Sequence, residues 1–303
     1  MILIAVAVFV AMAVGMQARK RTERTDRVVT LALDFVLLGL LPLIAFAFGT
    51  KVELKVSTLV GILAGYVVVG TVGVLAWQIT RRRMHLSARQ QGAVVLSVIL
   101  ANTGYFGLPV AVALLGKDHL PQSVTWDQLI SGPMAYLIAP FVAGSIAGVH
   151  DGLHLGDRLL VTVKRAPAIP ALIIGLAVPS HLIPGWFLDV ATWCVYATLP
   201  LGFFAVGATI QRLQAGGIPP PPRAIALTVG LRIVVAPLMF LLLTVLVLPT
   251  QPDSFKLAAA MPCGINALIV GHAFDLDRGL TSIAIASSTA IVTAVALVAS
   301  VVT

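Results

Sequence analysis

Charge is scarce in this chain. Only 11% of its 303 residues are Asp, Glu, Lys or Arg, and the mean hydropathy is +1.02, values that no soluble domain shows. Cysteine is almost missing. Cys194 and Cys263 both lie inside apolar runs and give neither a disulfide framework nor a metal-ligand spacing. A phosphate-binding loop is absent: Gly116-Lys117 runs into Asp118 without the glycine-rich approach such a loop needs. Clustered intramembrane aspartates, a Ser/His pair and a His-Glu zinc motif are missing too, which argues against an intramembrane prenyltransferase or protease. A sensor or channel subunit would carry a soluble output domain or a ring of pore charges, and neither is visible. No cofactor and no metal are expected.

What is present is a succession of apolar runs, each about 18 residues or longer, from end to end. They read as ten spans near residues 2–17, 28–48, 57–80, 90–116, 126–149, 167–183, 187–211, 224–248, 255–274 and 279–301, joined by short connections. The first is apolar and short, but its positive charges (Arg19, Lys20, Arg21, Arg24, Arg27) follow it rather than precede it, so it reads as a retained span and not a cleaved signal. The net charge of +8 is explained by topology without nucleic acid. Fifteen Lys and Arg fall in odd-numbered connections and four in even-numbered ones, while Arg232 lies within a span. That bias places the odd connections in the cytoplasm and both termini outside, in a multi-pass protein of the cell membrane. Trp77, Trp126, Trp186 and Trp193 fall mostly near span ends, as in an interfacial aromatic belt.

Two words repeat. Leu41-Pro42-Leu43-Ile44-Ala45-Phe46-Ala47-Phe48-Gly49 in span 2 matches Leu199-Pro200-Leu201-Gly202-Phe203-Phe204-Ala205-Val206-Gly207 in span 7, at an offset of 158. Five spans separate the copies, so the second is upside down, an inverted repeat of residues 1–150 and 151–303. Span 4 carries Asn102-Thr103-Gly104-Tyr105-Phe106-Gly107-Leu108-Pro109 where a plain span would carry Leu, Ile and Val. Span 9 carries Pro262-Cys263-Gly264-Ile265-Asn266 near the matching place. The composition predicts two interrupted helices crossing at mid-membrane, with Gly104 and Gly107 unwound and Pro109 opening a new half-helix. Either proline alone reads equally as an ordinary kink, and Asn102 and Asn266 as glue between helices. Together they point to a binding site.

The chemistry follows from the breaks. Each yields a helix N-terminus with unpaired amides and roughly half a positive charge, which favours an anion. Asn102, Thr103 and Asn266 add neutral donors and acceptors, and Tyr105 or Phe106 an apolar face. Arg232 lies nine residues past Arg223, about 13 Å into its span. It reads either as an attractor of the anion or as a partner for carbonyls freed by Pro237 and the breaks. Asp34 lies two turns into span 2, where it either snorkels to the cytoplasmic edge or pairs with another helix. His272 is placed near the outer end of span 9. His150, Asp151 and His154 read as a solvated loop and not a metal site, and the run from Pro219 to Pro222 as a stiff connector.

The span-4 word resembles the signature of the auxin efflux carrier (PIN-like) family in its bacterial form. The Leu-Pro-Leu of span 2, Arg232 with Pro237, and Pro262 with Asn266 are also similar to that family. The resemblance covers nearly the whole chain. It implies an all-α membrane protein of ten transmembrane helices in two inverted five-helix repeats, with helices 4 and 9 broken and crossing. It also implies a scaffold of spans 1, 2, 6 and 7, a homodimer through that scaffold, and a mobile transport domain of spans 3–5 and 8–10. An organic anion, a small carboxylate or an auxin-like compound, would move by an elevator mechanism. The substrate-binding positions would be Asn102, Thr103, Gly104, Tyr105, Pro109, Pro262, Gly264 and Asn266. The chain departs from the plant carriers in the connection at residues 150–166, which is short here. Membrane potential is worth about 2.3 kcal/mol per charge per 100 mV, enough to drive anion export. A proton coupled through Asp34 or His272, or a sodium ion as in the bile-acid symporter fold, is the alternative.

Overall fold

A computed structural model describes residues 1–21, 25–53, 55–148, 167–214, 220–246 and 251–302. The connection at 150–166, with His150, Asp151 and His154, and Pro219 of the proline-rich connector lie outside the described residues. The regular structure among the described residues is helical apart from one isolated backbone bridge. In chain order the helices are α1 (Ile2–Arg21), α2 (Arg27–Gly49), α3 (Val56–Met84), α4 (Ala88–Ile99), α5 (Thr103–Leu115), α6 (Lys117–Ile146), α7 (Ala168–Ala177), α8 (Gly185–Gln214), α9 (Pro222–Leu246), α10 (Asp253–Ala259), α11 (Asn266–Ala273) and α12 (Arg278–Val302). Seven of them (α1, α2, α3, α6, α8, α9 and α12) are long and apolar enough to cross a membrane.

Proline shapes several of these helices in one way. Wide turns at Val36–Leu40, Thr103–Gly107, Asp127–Ser131, Met134–Ile138 and Leu231–Val235 each end two residues before a proline: Pro42, Pro109, Pro133, Pro140 and Pro237. In each, the residue before the proline donates its N–H to a carbonyl five residues back, as Leu108 does to Thr103. Proline has no N–H and its ring collides with the carbonyl four residues earlier. Widening the turn before it moves that carbonyl aside while keeping the chain helical. At these five prolines the chain is therefore continuous helix and not a break, Pro109 included.

Close packing follows small residues. α1 lies along α8, and α7 lies along the second half of α2. A β-carbon on Gly207 of α8 would run into the backbone of Met12, and one on Gly175 of α7 into the carbonyl of Phe46. Helices approach this closely only where a side chain is missing. Two buried clusters result. One joins Val8, Ile44, Leu172 and Phe203 of α1, α2, α7 and α8, and reaches Phe106 and Cys263. The other joins Val72, Leu96, Ile130, Phe240, Phe255 and Leu280 of α3, α4, α6, α9, α10 and α12.

Three sequence expectations are corrected. The helix expected from about residue 126 begins at Lys117, with Pro121 in the first turn of its α-helical part, so Trp126 is not at an end. Trp126 is buried edge-on against Phe240 and Phe255, with ring centres 5.2 and 5.1 Å away, whereas Trp77, Trp186 and Trp193 are exposed. Helix α7 stops at Ala177 rather than 183, because Pro179 follows and only a short turn at Ser180–Leu182 comes after it. His272 shares its end of the molecule with Arg278 and with the Arg89–Asp275 ion pair, the end that the count of basic residues assigns to the cytoplasm.

Gly207→Val is expected to force α1 and α8 apart and to cost about 1–3 kcal/mol. Gly70→Val, where a β-carbon meets nothing within 4 Å, is expected to stay within about 0.5 kcal/mol of the parent. Unfolding midpoints of the purified variants in detergent check both.

Candidate functional site

The site grows from two places where the helix does stop. α4 starts with a capping box, the Ser87 side chain and Gln90 closing each other's backbone N–H groups. It stops at Ile99, and Leu100 is extended (φ −100°, ψ 107°). α10 stops at Ala259, and residues 260–265 pass without regular helix before α11 starts at Asn266. The two gaps meet. Asn102 N donates to Pro262 O at 2.8 Å, Gly264 N donates to Leu100 O at 2.7 Å, and Ala101 and Cys263 form an antiparallel bridge. Cys263 N donates to the Ser288 hydroxyl of α12 at 3.1 Å. The unwound stretch is thus residues 100–102, ahead of Gly104 and Gly107, which lie in the wide first turn of α5. Pro109 is buried one turn further on.

Carbonyls left at the two helix ends share one partner. Arg232 of α9 is 1% exposed. Its Nε donates to Met261 O at 2.9 Å, Nη1 to Val98 O at 3.4 Å and Nη2 to Ala259 O at 2.5 Å. One guanidinium therefore sits on the C-terminal, negative ends of α4 and α10 together. Among the described residues no carboxylate pairs with it.

The N-terminal ends of α5 and α11 face a cavity of about 30 Å³, room for one or two waters. Asn102, Gly104, Tyr105 and Asn266, all expected at the site, line it. Both amide atoms of Asn102, the Tyr105 hydroxyl and Oδ1 of Asn266 have no hydrogen-bond partner among the described residues. Leaving such atoms buried and unpaired costs about 1–3 kcal/mol each, and their convergence makes this cavity the candidate site. The other expected residues stand behind the wall. Pro262 supplies a carbonyl to the bridge. Gly264 is where the two chains touch, since a β-carbon there would meet Ala101 O at 2.7 Å. Thr103 turns away from the cavity toward α6.

Sequence reasoning missed what Thr103 turns toward. Asp127, in the wide turn of α6, is 7% exposed and lines the same cavity. Its Oδ1 accepts from the Thr103 hydroxyl, and its Oδ2 accepts from the Gln128 amide at 2.7 Å. Ser131 Oγ lies 2.8 Å from Thr103 Oγ1. The signal was available: an Asp in an apolar run, one position past the helix start expected at 126.

A second cavity, of about 430 Å³, is lined by Asp34, Thr209, His272 and Arg278. Arg278 Nη1 lies 3.0 Å from His272 Nδ1. Leu37 and Ile265 line both cavities and form the partition between them. Asp34 and His272 thus belong to this vestibule and not to the crossing itself.

Replacing Arg232 with Met orphans three buried carbonyls and is expected to lower stability by about 3 kcal/mol or more. Arg232→Lys, which cannot span all three, is expected to fall in between. Thermal unfolding in detergent distinguishes the two.

No family model matches the sequence. Over 240 residues the chain is 23% identical to the uncharacterized transporter MJ1031 of Methanocaldococcus jannaschii, a match spanning 75% of this chain and 71% of that protein. With seven helices long enough to cross a bilayer, the chain is a multi-pass helical membrane protein similar over most of its length to that archaeal transporter.

Proposed function

We propose that this protein is a secondary transporter that carries a small organic anion, a carboxylate, across the cell membrane. The anion is held where the two interrupted helices meet. One observation carries the reading: the unpaired polar atoms of Asn102, Tyr105 and Asn266 converge at the N-terminal ends of two half-helices tied together by backbone hydrogen bonds. Aligned amides and neutral side chains there would bind a carboxylate without a buried lysine. The likeness to a transporter agrees with this.

In this reading α4 with α5 forms the fourth span, α10 with α11 the ninth, and α7 belongs to the sixth, giving ten spans in two inverted halves, 1–150 and 151–303. The packing supports it, because α1 on α8 and α7 on α2 are the same pairing with the halves exchanged. Spans 1, 2, 6 and 7 form a scaffold through which two copies associate, and spans 3–5 and 8–10 a transport domain that moves against it as an elevator. The second buried cluster, whose residues come from spans 3–5 and 8–10 and the connection between 9 and 10, supports that division. Both termini lie outside, and the vestibule of Arg278 and His272 opens to the cytoplasm.

Purified protein in liposomes is expected to show saturable movement of labelled benzoate or indole-3-acetate. Asn102→Ala and Asn266→Ala are each expected to lower apparent affinity roughly ten- to a hundredfold while still folding, the effect of losing one hydrogen bond to a charged group. Flux no greater than in empty liposomes across a panel of small carboxylates overturns the proposal.

A further inference from the structure

We infer that Asp127 takes up a proton in the same event in which the cavity takes up its anion, so that an organic acid and a proton cross together. The inference rests on the transporter reading above and adds the coupling ion and the residue that carries it.

Position comes first. Asp127 is ten residues beyond the start of α6 at Lys117, about 15 Å along the helix and so at mid-bilayer depth. It lies on the wall of the cavity whose other walls carry the unpaired atoms of Asn102 and Asn266. Gly104 brings α5 against it: a β-carbon there would stand 3.3 Å from each carboxylate oxygen. An anion entering this cavity therefore arrives next to an acidic group.

The surroundings offer no counter-charge. From α5 the titratable group facing Asp127 is Tyr105; from its own helix it is Tyr136; from α3 it is Tyr66, whose hydroxyl donates to Leu129 O at 2.5 Å. α7, packed on the same turn, carries no titratable side chain. Asp34, further off on α2, is acidic as well. Arg232 lies across the bridge with its donors on three carbonyls. No Lys, Arg or His pairs with Asp127 among the described residues. Two carboxylates confined in one small site do not both stay ionised, and one proton between them removes the repulsion.

The bonding suits a proton. Both carboxylate oxygens accept from donors, Thr103 on one side and Gln128 on the other. The row Asp127–Thr103–Ser131 also works in both protonation states. With Asp127 ionised, Thr103 donates to it and accepts from Ser131. With Asp127 protonated, the acid donates to Thr103, which donates to Ser131. The proton comes from water, and no heavy atom has to move.

Calorimetric titration of the purified protein with benzoate, in buffers of different ionisation enthalpy between pH 5.5 and 8, counts the protons. Proton uptake rising toward one per benzoate at the alkaline end is expected, with affinity there declining toward tenfold per pH unit and indifferent to exchange of K⁺ for Na⁺. Asp127→Asn is expected to bind benzoate with no proton uptake and a flat pH profile, and Asp127→Glu to restore both. Thr103→Val leaves the carboxyl in place and removes a donor to its ionised form, so the decline is expected at higher pH. Benzoate binding without proton uptake, binding that depends on Na⁺, or full uptake retained in Asp127→Asn overturns the inference and leaves the transporter reading standing. Failure of benzoate and of indole-3-acetate to bind at every pH overturns both.

Discussion

Everything at the crossing depends on the cost of an unpaired peptide group in hydrocarbon. Each such group costs several kcal/mol where no water can reach it, so a helix in a membrane opens only where something else pairs the freed atoms. Here the two openings pair each other. Leu100, Asn102, Pro262 and Gly264 exchange hydrogen bonds across some 160 residues of sequence, and Ser288 takes the N–H of Cys263. Neither gap is satisfied without the other. The unit that folds is the pair, and a change on one side leaves buried atoms stranded on the opposite strand.

That pairing also sorts charge. At each gap one half-helix presents carbonyls and the other presents amides. The carbonyl ends are closed by Arg232, a buried cation fixed on them by three hydrogen bonds. The amide ends are left toward the cavity, with Asn102 and Asn266 beside them. A positive side chain is thus present at the centre of the protein but faces away from the pocket, whereas the charged side chain that does line the pocket is an acid. A pocket built this way would offer an anion only weak partial charges, and the acidic side chain on its wall is Asp127. Neutralising that one group changes the character of the whole pocket.

Much of this was legible in sequence, for definable reasons. Seven helices followed from the length of their apolar runs, and both interruptions followed from Asn, Gly and Pro in places where a span carries Leu and Val. The place of the first opening did not follow. Gly107 and Pro109 suggested it, yet they lie in a helix that absorbs the proline by widening one turn. The chain opens instead at Leu100–Asn102, where the partner strand arrives, and residues ordinary in themselves become special through a contact no local pattern encodes. Asp127 was overlooked for a different reason. Lys117, Asp118, His119 and Gln122 look like a loop, and only the position of Pro121 in a first turn shows that a helix has begun. The depth of Arg232 was readable by counting residues; the three carbonyls it touches were not.

The two cavities bear on how a ligand enters. The crossing has room for one or two waters as it stands, too little for any organic acid, while the larger cavity beside it stops at Leu37 and Ile265. Leu37 belongs to α2, which packs with α1, α7 and α8. Asn102 lies in the unwound stretch bonded to Pro262, and Asp127 belongs to α6, which packs with α3, α4 and α10 as well as with α2 and α7. The crossing is stitched to its own side by the backbone bridge and by Arg232, so its polar groups cannot spread apart singly without orphaning atoms. In the transporter reading proposed above, sliding the whole stitched group past Leu37 would keep those hydrogen bonds and enlarge the space in front of Asn102. Movement as one body would then be the cheaper course, because the bonds that hold the two gaps together are also those that a smaller, local opening would have to break.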